Sequence, residues 1–400
     1  MDVGGNNKTI KIQNQMLILK LIATYGGVSR IDLSKKTKLS KMTVSNLVSG
    51  LIDAGLVVED ANSIDTTGKL GRNPIALRIA PNSPCVCGIA IKRGRCVIVL
   101  GDLAGNIFEK EVLEILDTIT EEQLVRFIED GFFHLRNKTS RRIIGVGISC
   151  IGPIDSNSGV VLNPPFFHGI ENVMLVQMVE KFSKLPAFLY NDGNAGALAE
   201  LIYGSGRTIS NFSYLHIMHG IGSGYALEGK VYNGNLGQSG EIGHSTINFS
   251  GPRCNCGNTG CLELYANITN VRKHITDSAD FYSHSPLTKI NKPTLLNVVD
   301  AANREDYLAI SVLETYLGYV AHAMTNIISF LDLSHIIVDY SSTSEGTVLE
   351  DILYQKILSS AYHFKTKQIQ MSRSQFRGDA PLIGAIALVA SKVFENQIVL

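Results

Sequence analysis

Residues 237–263 read GQSGEIGHSTINFSGPRCNCGNTGCLE. Nine residues separate His244 from Cys254; Cys256 follows at C-x-C spacing, and Cys261 after four more. One imidazole and three thiols are the ligand set of a closed tetrahedral zinc site. Four protein ligands leave no open position for water, so the zinc expected on His244, Cys254, Cys256 and Cys261 is structural. Two carboxylates, Glu241 and Glu263, flank the cluster.

Working outward, the other four cysteines (Cys85, Cys87, Cys96 and Cys150) stand among apolar residues. They read as reduced core thiols, and no disulfide framework is expected in a chain of this length. Four hundred residues exceed one ordinary core, so two or three domains are expected. Formal net charge is zero, but residues 1–80 carry 11 Lys and Arg against 6 Asp and Glu. A basic head on an acidic body directs attention to nucleic acid at the head. The N-terminus is polar and no run approaches about 18 apolar residues, so a cytoplasmic protein without a membrane partner is expected.

In the head, Ile12, Met16, Leu19 and Ala23 keep helical spacing and predict a helix over 12–24. Ser29-Arg30-Ile31-Asp32 is a capping-box pattern for a short second helix to about Thr37. Ser40 can cap a third helix ending before Gly55. On it Val44, Leu47, Val48 and Leu51 share one face, leaving Lys41, Thr43, Ser45, Asn46 and Ser49 on the other. Strand-like runs at Leu56–Glu59 and Ile75–Ile79 flank a glycine-rich tip with Lys69 and Arg72. This is the order of a winged helix-turn-helix, with polar side chains where base edges are reached and a cationic wing for phosphates. Double-stranded DNA is the expected partner.

From residue 81 onward, strand and helix patterns occur twice in similar order, implying an α/β architecture of two lobes with a cleft. Asn191-Asp192 ends an apolar strand before a helix, where α/β sheets bind ligands. Gly220-Ile221-Gly222-Ser223-Gly224 reads either as an anion-cradling turn or as a tight β-turn. A helix is expected over about 262–274.

These stretches together resemble the ROK family (repressor, open reading frame, kinase), in its branch with a winged helix-turn-helix head. The carrying motifs are Gly240-Glu241-Ile242-Gly243-His244, CNCGNTGCLE at Cys254–Glu263, and Tyr190-Asn191-Asp192-Gly193-Asn194-Ala195, with Gly152-Pro153-Ile154-Asp155 and Leu382-Ile383-Gly384-Ala385. The resemblance implies a bilobal, actin-like sugar-kinase fold. Its domains would be a DNA-binding head at 1–80, a first lobe at 81–195 completed by 382–400, and a second lobe with the zinc motif at 196–381. It implies that Asn191, Asp192, Glu241, His244 and Glu263 hold a sugar. In kinase members the residue matching Asp192 is the general base.

The chain departs from the kinase pattern on the phosphate side. The family's Asp-x-Gly-Gly-Thr loop corresponds to Ala90-Ile91-Lys92-Arg93-Gly94, and large side chains there oppose backbone wrapping of phosphates. A second glycine turn is replaced by Asp339-Tyr340-Ser341-Ser342, and a third by Met218-His219-Gly220. His168-Gly169-Ile170 stands where sugar-binding members often carry Trp. The expectation is a sugar-responsive, non-catalytic repressor acting as a dimer or tetramer, in which sugar closure of the lobes changes the spacing of paired heads. The alternatives are an ATP-dependent sugar kinase with a head, and a regulator that has lost effector binding.

Overall fold

A computed structural model describes residues 7–60, 75–115, 119–164, 170–218, 220–360 and 368–400. The head contains α1 (Asn7–Tyr25), α2 (Arg30–Thr37) and α3 (Lys41–Asp53), then the hairpin β1 (Val57–Asp60) and β2 (Ala76–Ile79). Ser29 and Asp32 form a reciprocal cap on α2, and Ser40 accepts the Thr43 N–H at the start of α3. Val44, Leu47, Val48 and Leu51 of α3 are buried, and both α1 and α2 pack against that helix. The turn before α2 is tied to the hairpin: Leu77 N donates to Val28 O at 2.9 Å, and Gly27 N to Leu77 O at 3.0 Å. The wing tip, with Lys69 and Arg72, lies outside the described residues.

By its contacts the chain divides into two compact units: residues up to Tyr190 with Leu382–Leu400, and Asn191–Pro381. The first holds β3 (Cys85–Lys92), β4 (Arg95–Gly101), β5 (Ile107–Glu114), α4 (Glu121–Asn137), β6 (Ile143–Cys150), the small hairpin β7 (Ile154–Asp155) and β8 (Val160–Val161), α5 (Leu175–Ser183), and β9 (Ala187–Asn191), whose last residue opens the second unit. Its sheet runs β5-β4-β3-β6-β9. Strands β3, β4 and β5 are antiparallel in turn, and β3 is parallel to β6. Every residue of β6 is buried, as expected of a strand covered on both faces.

The second unit holds α6 (Asp192–Ile202), β10 (Phe212–Ile217), β11 (Ile221–Leu227), β12 (Lys230–Val231), α7 (Ile268–Asp277), α8 (Leu295–Ala302), α9 (Tyr307–Leu331), β13 (His335–Asp339), α10 (Val348–Ser360) and β14 (Gln370–Arg373). Its sheet runs β12-β11-β10-β13-β14, with β10 antiparallel to β11 and parallel to β13. Helix α11 (Ala380–Phe394) returns to the first sheet, where a Cβ on Gly147 would stand 1.9 Å from Ala385 O. No helix among the described residues is long and apolar enough to cross a membrane.

Two expectations are corrected. The helix expected over 262–274 is a single turn at Leu262–Leu264 followed by α7. Asn267 causes the break: its amide donates to the Glu263 and Leu264 carbonyls, and its oxygen caps α7 through Asn270 N at 2.8 Å. The glycine run 220–224 is no cradle either. Residues 221–227 form β11, paired in register with β10 from Ile217↔Ile221 onward. Helices α5, α8 and α10 were not anticipated from the sequence pattern.

Candidate functional site

The candidate sugar residues belong to the second unit, and close backbone packing places them. A Cβ on Gly193 would stand 2.0 Å from Ser223 O, one on Gly224 2.3 Å from Gly193 O, and one on Gly240 1.9 Å from Ser223 O. These glycines let the start of α6, strand β11 and the loop before Glu241 touch backbone to backbone. Hydrogen bonds fix the contact. Ser223 N donates to Gly240 O at 3.0 Å, and its hydroxyl donates to the same oxygen at 2.9 Å. Asn191 caps α6 through Asn194 N at 2.8 Å, while its amide donates to Ser239 O at 3.1 Å. Asn194 takes the Ser239 hydroxyl at 3.2 Å. Thus Asn191 and Asp192 are locked beside the segment that carries Glu241. Asn194, Ser223 and Ser239 went unnoticed as positioning residues in the sequence, because only tertiary contact gives them that role.

Electrostatics supports one shared site. The Glu241 carboxyl is pushed up to about 7, first by burial, then by the negative charge of Asp192, with Glu263 adding and the Asn191 hydrogen bond opposing. His244 Nε2 stands 3.8 Å from Glu263 Oε2. Glu241, Asp192, Glu263 and His244 therefore act on one another across a small volume.

The other nitrogen of His244 faces the thiols. Nδ1 is 3.8 Å from Cys254 Sγ, Cys256 Sγ is 3.6 Å from Cys261 Sγ, and all four ligand atoms lie within 4.8 Å of one another. Bond lengths of about 2.0–2.3 Å to a tetrahedral zinc imply ligand separations of roughly 3.5–3.8 Å, so the set fits. The knuckle is built locally. Gly257 N donates to Cys254 O at 3.0 Å, Cys254 N to Asn258 O at 2.8 Å, and Asn258 Nδ2 reaches His244 O at 3.0 Å. Thr246 bridges Cys261, so the His244 and cysteine segments are paired. Cys85, Cys87, Cys96 and Cys150 are buried in the first sheet, where burial pushes the Cys85 thiol up to about 11.

The residues that stand in place of the family's phosphate glycines make ordinary packing contacts within each unit. Lys92 pairs with Arg95 across a two-residue turn, and Ala90 is fully buried opposite Val97. Asp339 is also fully buried, accepting Tyr214 Oη at 2.7 Å and Gly378 N at 2.6 Å. Burial works against its charge, but His216 and Tyr214 hold the carboxyl below its usual range. Ser341 Oγ donates to Met218 Sδ at 3.4 Å. His168, Gly169 and His219 lie outside the described residues.

In the head, Lys41, Asn46 and Ser49 are exposed on α3, and Thr43 and Ser45 are half-buried. Thr43 is partly engaged in the cap, its Oγ1 lying 2.9 Å from Ser40 Oγ. Met42, which the sequence pattern did not single out, is 76% exposed among them.

The chain thus combines a three-helix head carrying a hairpin with two five-stranded sheets of the same strand order, a duplicated α/β frame. The ROK family profile matches residues 86–392, and the chain belongs to that family. It is 28% identical over 396 residues to the xylose repressor of Caldicellulosiruptor bescii, spanning 97% of this chain and 98% of the relative. Among solved structures it resembles a ROK family transcriptional regulator described as a homologue of the E. coli Mlc protein, with TM-score 0.75 and 27% identity over 96% of this chain and 97% of the other. It also shares its fold with a ROK glucokinase from Streptomyces griseus, with TM-score 0.64 and 22% identity over 76% of this chain and 98% of the kinase.

Proposed function

We propose that this chain is a sugar-responsive DNA-binding transcriptional repressor with a structural zinc. The observation that carries the reading is its near end-to-end likeness to a repressor and to a transcriptional regulator, over 97% and 96% of the chain, where the kinase likeness covers 76%. Residues 1–80 form the DNA-binding domain, 81–190 with 382–400 the first lobe, and 191–381 the second lobe, the boundary falling at Asn191 rather than after residue 195 as expected from the sequence, because the start of α6 packs on β11. On α3, Lys41, Thr43, Ser45, Asn46 and Ser49 face the major groove, with Met42 available to thymine methyls. Lys69 and Arg72 of the wing contact phosphates.

Asn191, Asp192, Glu241, His244 and Glu263 hydrogen-bond the hydroxyls of a sugar, which both donate and accept. When bound by His244, Cys254, Cys256 and Cys261, zinc supplies rigidity alone, since no ligand position is open. Fixing His244 through Nδ1 leaves Nε2 toward Glu263 and the sugar. The sugar changes DNA affinity only by its differential affinity for the free and DNA-bound states. The chain works in the cytoplasm as a dimer or tetramer on a two-fold operator and is not a kinase.

In-vitro selection from randomised DNA, followed by a sugar panel in the operator-binding assay, tests the reading. A selected site whose occupancy one sugar alters is expected; no sequence-selective DNA would overturn it. Incubation with ATP and a hexose panel tests the second reading, which the half-buried Asp192 beside Glu241 motivates. Turnover abolished by Asp192→Asn would make the chain an enzyme.

A further inference from the structure

Ligand crevices in open α/β sheets lie beyond the carboxyl ends of parallel strands. In the second unit β10 and β13 are such a pair, and the segment leaving β13 reads Tyr340-Ser341-Ser342-Thr343-Ser344-Glu345. Its donors converge on one carboxylate, that of Asp300 in α8. Oδ1 takes the Ser342 hydroxyl at 2.8 Å, Thr343 N at 3.0 Å, the Ser344 hydroxyl at 3.0 Å and Ser344 N at 3.3 Å. Oδ2 takes Thr343 N at 3.3 Å and the Thr343 hydroxyl. Two successive backbone N–H groups with hydroxyls around them make the concavity that binds phosphate groups.

Neighbouring groups support the anionic character of the occupant. Burial works against charge on Asp300, yet the Thr343, Ser342 and Ser344 donors hold its carboxyl below the usual range. Arg373 donates to Ser344 O at 3.3 Å; its buried Nε and Nη2 make no hydrogen bond, Nε lying 4.0 Å from Glu350 Oε1 and the guanidinium 4.3 Å over the Tyr340 ring. Asn303, also at the end of α8, secures the same segment by donating to Ser344 Oγ at 2.6 Å and accepting Val348 N at 3.2 Å.

We propose that Asp300 is a built-in occupant of a phosphate-type anion nest formed by residues 342–344. The chain's own carboxylate fills the place that a tetrahedral oxyanion, free or as part of a nucleotide, would take. The inference sharpens the non-catalytic reading: this end of the sugar-kinase-like frame is completed from within.

The full-length Asp300→Ala variant and the wild type are melted with and without inorganic phosphate, at matched ionic strength. The variant is expected to melt lower and to be raised several degrees by phosphate, the wild type hardly at all. Asp102→Ala, which removes a carboxylate from an ordinary turn in the first unit, should gain nothing from phosphate. Equal phosphate stabilisation of all three proteins, or none in a folded Asp300→Ala, overturns the proposal. If that variant does not fold, the isosteric Asp300→Asn replaces it. A stability equal to wild type with no phosphate response in that variant also overturns it. Sugar binding measured on the same wild-type sample keeps the two claims apart. An intact sugar response with no phosphate rescue removes only the internal occupant, while no response to any sugar removes the regulator reading.

Discussion

The two five-stranded sheets share their strand order, yet they hold different chemistry. Each has a central strand paired antiparallel with a hairpin partner and parallel with the strand beyond it. In the first, the hairpin closes tightly at Arg93-Gly94 and one face carries Cys85, Cys87, Cys96 and Cys150 among aliphatics. In the second, the central strands bury Tyr214, His216, Ser223 and Asp339, and the segment after β12 carries Glu241, His244, the three cysteines and Glu263, while Asn191 and Asp192 stand where β9 runs into α6. The same frame thus serves as an inert core once and as a chemical site once. What separates them is the polar content of a few loops.

The largest effect should come from thiols in the two units. Cys261→Ser is expected to abolish zinc binding and the sugar response together, whereas Cys96→Ser leaves zinc content unchanged, measured by elemental analysis of the purified proteins. Retention of a full zinc equivalent by Cys261→Ser would break the ligand assignment. Next come the glycines that permit backbone contact. Gly147→Ala and Gly193→Ala should each cost about 3 kcal/mol, since neither site has room for a methyl group. Only Gly193→Ala should also weaken sugar affinity in the folded fraction, read by calorimetry. Equal affinities in both variants would detach the β11 contact from the site.

A third effect is set by pH. Glu200, fully buried in α6, has its carboxyl pushed up to about 7 from 4.5, first by burial, with Ser374 and Ser205 opposing. The folded state therefore holds an extra proton between those values, and stability falls as pH rises through that window. The loss should be on the order of 2–3 kcal/mol, and Glu200→Gln should flatten it in chemical denaturation at pH 5 and pH 8. The smallest effects belong outside both sheets. Asn46→Ala should cost roughly 1–3 kcal/mol of DNA discrimination, and Lys41→Ala should lower the salt slope of binding by about 1. An unchanged slope would remove Lys41 from the phosphates.

Much of this was readable because it is local. Ser29, Asp32 and Ser40 cap the helices that their spacing announces, and β6 spans the apolar run Ile143–Cys150. Helices α8 and α10 were missed because their apolar faces are short and meaningful only against α9. The glycine run misled because a turn and a tightly packed strand use the same residue for different reasons: φ freedom in one, absence of a Cβ in the other.

By itself the sequence pointed out the His244, Cys254, Cys256 and Cys261 cluster, the head's element order, the α/β class and the large side chains in place of the family's phosphate glycines, since spacing and residue type alone carry those. Tertiary structure decided the rest. It divided His244 between Cys254 and Glu263, turned Gly222–Gly224 into packing surface for Gly193 and Gly240, broke the chain at Asn267, and brought Asp300 into the segment after β13. Each of these depends on groups far apart in the chain meeting at contact distance, which no periodicity records.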